Sequence, residues 1–152
     1  MSEEIKIRRA EPADAPALVE FNQAMAHETE GKILDRQTLT GGVEAVFQSA
    51  DKGFYVVAET EGKIVGGLMI TFEWSDWRNG WFWWIQSVYV LPEFRGRKIY
   101  SRLYEFVKRE ARETGGVCGF RLYVERENMK AQKVYEKLGM ERSHYLMYEE
   151  ML

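Results

Sequence analysis

Ile5-Lys6-Ile7-Arg8 alternates apolar and polar residues and predicts a strand, after which Pro12 and Asp14 supply helix-start chemistry before Leu18, Phe21 and Met25 recur at helical spacing. A second helical stripe, Leu39, Val43, Val46 and Phe47, lies between Gln37 and Ser49 in spite of Gly41 and Gly42. His27 to Gly31, between the two helices, reads as a polar loop. Phe54 to Glu59 is β-branched and aromatic, and Glu61-Gly62 turns it back into Lys63 to Trp74, a hairpin pattern. Asn79-Gly80 marks the next reversal, and Trp81 to Leu91 has the composition of a long central strand. Strict alternation places Trp81, Trp83, Ile85, Ser87 and Tyr89 on one face and Phe82, Trp84, Gln86, Val88 and Val90 on the other, so both faces are largely covered.

Pro92 stops that strand, and Glu93 to Lys98 lead into a helix whose buried stripe is Ile99, Leu103, Phe106, Val107 and Ala111, ended by Gly115-Gly116. Phe120 to Val124 reads as a strand. Ala131, Val134, Tyr135 and Leu138 form a short helical stripe closed by Gly139, and His144 to Tyr148 reads as a final strand. Hairpins first and strand-helix alternation later predict a mixed sheet in an α/β arrangement. No repeat or linker interrupts the order, and a chain of 152 residues, 45% hydrophobic, fills one core, so a single domain over 1–152 is expected.

Composition then narrows the partners. A net charge of -3 argues against nucleic acid, whose backbone calls for a basic excess, and suits a cationic substrate better. The apolar runs are strand-like and Met1 to Arg9 is charged, which points to an untargeted, cytoplasmic protein with no membrane partner. Cys118 is the single cysteine, so no disulfide framework or thiolate metal site is expected, and it reads as a small core residue beside Val117 and Phe120. His27 and His144 are too scattered to suggest a metal.

The segment from Val88 to Tyr100 carries the chemistry. A buried strand ends at Pro92 and turns through Arg95-Gly96-Arg97-Lys98 into an amphipathic helix. The first turn of a helix has unpaired N–H groups and the positive end of the dipole, which suits a phosphate, and Arg95, Arg97 and Lys98 add charge. The alternative is an ordinary strand-helix connection with solvated basic residues.

Three stretches together resemble the GNAT superfamily of acyl-coenzyme A dependent N-acetyltransferases. Val88 to Tyr100 resembles the cofactor motif, Gln/Arg-x-x-Gly-x-Gly/Ala, with Lys98 where Gly is usual and Tyr100 where Gly or Ala is usual. Val124 to Met140 resembles the second motif, with Asn128, Ala131, Tyr135 and Gly139 in register, and Ile7 to Asp14 resembles the opening strand and helix. The resemblance implies an α/β fold with a mixed, mostly antiparallel central sheet of about six to seven strands flanked by about four helices. It also implies acetyl-CoA as cosubstrate, bound by Val88, Tyr89, Val90, Arg95, Gly96, Arg97, Lys98, Ile99, Tyr100, Asn128, Ala131 and Tyr135, with the pantetheine lying like a strand between Val88 to Leu91 and Phe120 to Val124. The amine would attack the thioester directly in a ternary complex, a backbone N–H near Val88 would receive the oxyanion, and Tyr135 would be the general acid. A phenol of pKa about 10 can protonate a thiolate of pKa about 8.5 with little mismatch. The alternative for Tyr135 is a packed aromatic on the helix stripe.

The general base is not identified by the sequence. Gln86 stands where some relatives, including spermidine/spermine-type acetyltransferases, have a glutamate, and an amide can at most orient a water. Glu28 and Glu73 are the leading carboxylates. Trp74, Trp77, Trp81, Trp83 and Trp84 crowd the hairpin expected to wall the acceptor site, where an amine over an indole gains about 0.5 to 2 kcal/mol. With Glu28 and Asp76, Trp74 and Trp84 point to a small polyamine-like or amino-acid-like acceptor. Acetylation of a protein lysine or N-terminus, and a coenzyme A-binding module without catalysis, are the other readings. The apolar stretch Tyr145 to Met151 makes a homodimer conceivable.

Overall fold

The computed structural model describes residues 4–152, so Met1 to Glu3 of the charged N-terminal stretch lie outside the described residues. The chain forms two compact units, Met1–Leu122 and Tyr123–Leu152. The first contains β1 (Lys6–Arg9), α1 (Ala15–Glu30), α2 (Arg36–Gln48), β2 (Phe54–Thr60), β3 (Lys63–Ser75), β4 (Gly80–Val90), α3 (Ile99–Thr114) and β5 (Val117–Arg121), and the second contains α4 (Met129–Lys137). The sheet runs in the order β1-β2-β3-β4-β5. Its first three pairings are antiparallel and the last, β4 with β5, is parallel. Among the described residues the fold is thus α/β with a mixed sheet of five strands and four helices, in place of the six to seven strands expected.

One expected strand is displaced and another is missing. Gly115 and Gly116 both take positive φ, 79° and 75°, and turn the chain at once. Gly116 O then accepts from Trp81 N at 2.8 Å, so pairing begins at Val117 and ends at Arg121 rather than running over Phe120 to Val124. The stretch His144 to Tyr148 forms no strand; Tyr145, Leu146, Met147 and Tyr148 are exposed there. Helix α1 also runs further than expected, through His27 to Glu30, until Gly31 at φ 64° donates its N–H to His27 O (3.0 Å).

Neighbouring glycines on β3 show how the sheet is covered. A Cβ on Gly66 would lie 3.4 Å from Ile99 of α3 and 3.2 Å from Tyr89 O, whereas one on Gly67 would lie 3.5 Å from Leu18 of α1 and 3.1 Å from Val56 O. Helices α1 and α3 therefore sit on opposite faces, and glycine lets the backbones approach on both. On the α1 face Leu18, Val19, Phe21, Val43, Tyr55, Val57 and Tyr89 form one buried cluster. Leu103, Tyr104, Val107 and Ala111 are the buried stripe of α3.

Strand β4 does not keep the strict alternation expected of it. Gln86 pairs with Met69 and Tyr89 with Gly67, so Ser87 and Val88 together oppose Leu68 in a β-bulge, with Ser87 at φ 53°. The extra residue exchanges the faces beyond it. Tyr89 thus shares the α1 face with Phe82, Trp84 and Gln86, its ring 5.3 Å from Phe21, while Val90 moves to the α3 face beside Ile99. Cys118 is exposed rather than in the core, because β5 is the last strand of the sheet and presents it to solvent. Among the described residues no helix is long and apolar enough to cross a membrane.

Candidate functional site

The pairing of β4 with β5 runs from Trp81 opposite Val117 to Trp84 opposite Arg121 and stops, while β4 continues to Val90 against β3 alone. Beyond Trp84 one edge of β4 is open. Leu91 N donates to Val65 O at 2.9 Å, and because bonded residues alternate in an antiparallel ladder, the backbone groups of Val90 turn toward that open edge. Val90 O there accepts from Arg95 Nε at 2.9 Å. The bulge at Ser87 and Val88 lies on the same stretch and re-aims its backbone.

The turn that follows is built from a short 3-10 segment, Pro92–Phe94, with Phe94 N bonded to Leu91 O (2.9 Å) and Arg95 N to Pro92 O (3.2 Å). Phe94 is buried and the Arg97 guanidinium lies 4.9 Å over its ring. Gly96 at φ 81° and Lys98 at φ 59° then bring the chain into α3, whose first turn closes with Arg102 N on Lys98 O at 3.2 Å. Lys98 thus holds a left-handed backbone, the conformation glycine adopts most readily. Tyr100 stacks on Tyr104, 6.2 Å between centroids and 5° between planes, so its ring lies along α3. The helix start thereby keeps the N–H donors that suit a phosphate, with Arg95, Gly96, Arg97, Lys98, Ile99 and Tyr100 around them.

Three polar groups line the α1 face of β3 and β4. At the far end Glu28, in the last turn of α1, accepts from Tyr89 OH at 3.0 Å and from Arg95 Nη2 at 3.0 Å. Burial, and next the hydrogen bond to Glu28, push the Tyr89 phenol up, so it stays protonated and donates. In the middle Gln86 Nε2 donates to Thr71 Oγ1 at 2.6 Å. At the near end Glu73 Oε1 accepts from both Trp84 Nε1 (2.8 Å) and Arg121 Nη1 (2.9 Å), and the guanidinium lies 3.6 Å over the Phe82 ring. The Trp84 hydrogen bond, against a smaller desolvation effect and together with Arg121, holds the Glu73 carboxyl below the usual range, which makes it a weak base.

The other expected acceptor residues lie apart. Trp74 is on the α3 face, edge-on to Trp81 at 5.0 Å, and half exposed. Asp76 sits in the β3-β4 turn, its Oδ1 accepting from Trp77 N at 2.9 Å. Trp83 is core, against Phe54 and Phe120. Of the five tryptophans Trp84 is the one bonded to Glu73. Thr71 and Arg121 were not among the expected residues; a lone arginine beside Phe120 in an otherwise apolar strand pattern was the available signal for the second.

In the second unit the Asn-x-x-Ala spacing has a local cause. Asn128 is the N-cap of α4, its Oδ1 accepting from Ala131 N at 3.1 Å, and Gly139 at φ 99° follows the helix as Met140 N bonds Tyr135 O at 3.0 Å. Tyr135 is half-buried on α4, and burial pushes its phenol up.

Residues 18–140 match the acetyltransferase (GNAT) family. Over 91 residues the chain is 30% identical to the aminoalkylphosphonate N-acetyltransferase of Salmonella typhimurium, covering 60% of this chain and 58% of that protein, less than two thirds of the relative's length. A possible acetyltransferase from Clostridium difficile 630 superposes with a TM-score of 0.90 at 44% identity over 97% of each chain. The glucosamine-6-phosphate N-acetyltransferase from Arabidopsis thaliana superposes at 0.75 with 25% identity, covering 97% of this chain and 99% of that one. With more than half of its length matched and the fold shared throughout, the chain belongs to the acetyltransferase (GNAT) family.

Proposed function

We propose that this chain transfers an acetyl group from acetyl-CoA to the primary amine of a small molecule by direct attack in a ternary complex. The observation that carries the reading is the open edge of β4, bulged at Ser87 and Val88 and leading straight into the basic turn before α3. The small-molecule acceptor is supported by relatives named for aminoalkylphosphonate and glucosamine-6-phosphate N-acetylation.

In this reading Val88, Tyr89 and Val90 offer backbone groups to the pantetheine, and Arg95 to Tyr100 hold the pyrophosphate through N–H donors and charge. The amine nitrogen forms a bond to the thioester carbon, the N–H of Val88 stabilises the oxyanion, and the carbon-sulfur bond then breaks as the nitrogen gives its surplus proton to solvent. The departing thiolate takes the proton of Tyr135, whose phenol burial keeps protonated at neutral pH, and solvent restores it. Asn128 and Ala131 serve by capping and starting the helix that carries Tyr135. The ammonium must lose a proton first. Glu73 is a weak base, which leaves Glu28, reached through Tyr89 OH, with Gln86 orienting water beside it.

Thiol release from acetyl-CoA, measured over a panel of free amines and lysine peptides, tests the reading. Turnover of free amines above peptides is the expected outcome; turnover of peptides alone, or of nothing in the presence of bound acetyl-CoA, overturns it.

A further inference from the structure

We propose that Arg121 is a specificity-determining residue that receives an anionic group of the acceptor, so that the substrate is a short amine bearing a carboxylate, phosphate or phosphonate. The inference rests on the acetyl-transfer reading above and narrows its acceptor to amines that also carry an anion.

The charges on the α1 face alternate. Glu28 is engaged by Arg95 and Glu73 by Arg121, each at hydrogen-bond distance. Each carboxylate of this face is thus already neutralised by a guanidinium, which leaves little net attraction for a polycation. A molecule carrying one positive and one negative group finds a group of opposite sign for each.

Position identifies Arg121 as the anion's partner. It stands opposite Trp84, at the last paired residue before the β4 edge opens. Gln86 follows two residues on, about 7 Å along the strand at the usual rise. An amine beside Gln86 and an anion at Arg121 are therefore separated by a short acceptor's length. The guanidinium is also held in place: its Nη1 bonds the Glu73 oxygen that also accepts from Trp84, and its Cζ lies 3.6 Å from the Phe82 ring centroid. A guanidinium whose orientation is fixed beforehand presents its fork to an oxyanion with little further ordering. The side chain is 30% exposed, so a ligand can reach it. Arg95, the arginine bonded to Glu28, belongs to the turn assigned to the cosubstrate's phosphates.

Two measurements on the full chain test this. In the first, kcat/KM is compared for 2-aminoethylphosphonate, a short ω-amino acid, n-propylamine and spermidine. The anion-bearing amines are expected to exceed n-propylamine by about tenfold or more, and Arg121→Gln to remove that advantage through KM, with partial rescue in Arg121→Lys. Spermidine as the best acceptor, or an equal loss for charged and neutral amines in Arg121→Gln, overturns the proposal. In the second, calorimetry follows 2-aminoethylphosphonate binding to the chain saturated with coenzyme A, without turnover. Binding that weakens about tenfold or more in Arg121→Gln supports anion recognition even where thiol release fails and the acetyl-transfer reading falls with it. Binding that Arg121→Gln leaves unchanged, or no binding by the wild type, overturns it.

Discussion

Glu28 in the last turn of α1 and Arg95 in the turn before α3 form an ion pair at 3.0 Å across 67 residues of sequence, and the same arginine donates to Val90 O. One side chain thus joins the carboxylate on the α1 face to the open edge of β4. In the proposed reaction a pyrophosphate at this turn would compete with Glu28 for that guanidinium and so release the carboxylate for proton transfer.

In the proposed reaction Glu28→Gln is expected to lower kcat by about a hundredfold, the usual contribution of a general base, in steady-state thiol release. Glu73→Gln is expected to change kcat far less, since Trp84 and Arg121 make Glu73 a weak base. An unchanged kcat in Glu28→Gln would move the base elsewhere.

Tyr135→Phe removes the proposed proton donor while leaving the ring. Steady-state kinetics with calorimetry should show kcat reduced by about a hundredfold or more and coenzyme A affinity changed by less than about threefold. Full activity in the phenylalanine variant would reduce Tyr135 to a packing residue.

Lys98 holds a left-handed backbone at φ 59° with a side chain on it. Lys98→Gly relieves a strain of about 1 kcal/mol, partly offset by the freedom glycine has when unfolded. Thermal denaturation should show a midpoint higher by up to about 2 to 4 °C, and Lys98→Val should lower it.

Asp14, nearly buried, takes two hydrogen bonds from Arg8, at 2.8 and 3.1 Å, and one from Glu11 N at 2.7 Å. Burial raises its carboxyl, but these bonds outweigh burial and hold it below the usual range. Because the folded value is depressed, the stabilisation is fully present above the unfolded pKa of about 3.9 and is lost as pH falls through the folded value. Asp14→Asn leaves Arg8 without its closest partner and is expected to destabilise by about 3 kcal/mol at neutral pH while flattening the acid side of the stability profile, read by urea denaturation.

Much of the fold was legible because its signals are local. The alternation at Ile5 to Arg8, the stripe from Ile99 to Ala111, and the reversals at Glu61-Gly62 and Asn79-Gly80 each depend on residues within a few positions of one another. The strand expected at His144 to Tyr148 was not legible in the same way. Whether a stretch pairs depends on residues far away in the chain, and among the described residues five strands form where six to seven were expected.

By itself the sequence determined the order of elements, the basic turn from Arg95 to Lys98 and the register of Asn128, Ala131, Tyr135 and Gly139, because capping, turning and helical periodicity are fixed by near neighbours. Tertiary structure alone decided the rest. One extra residue at the Ser87 and Val88 bulge carried Tyr89 to the α1 face beside Glu28, which strict alternation forbids. Packing of distant strands and helices gave Glu28 to Arg95 and Glu73 to Arg121, and so turned two candidate bases for a cationic substrate into a face of paired charges. Charge in a sequence is a sum over residues; in a site it depends on which opposite charge the fold brings within hydrogen-bond reach.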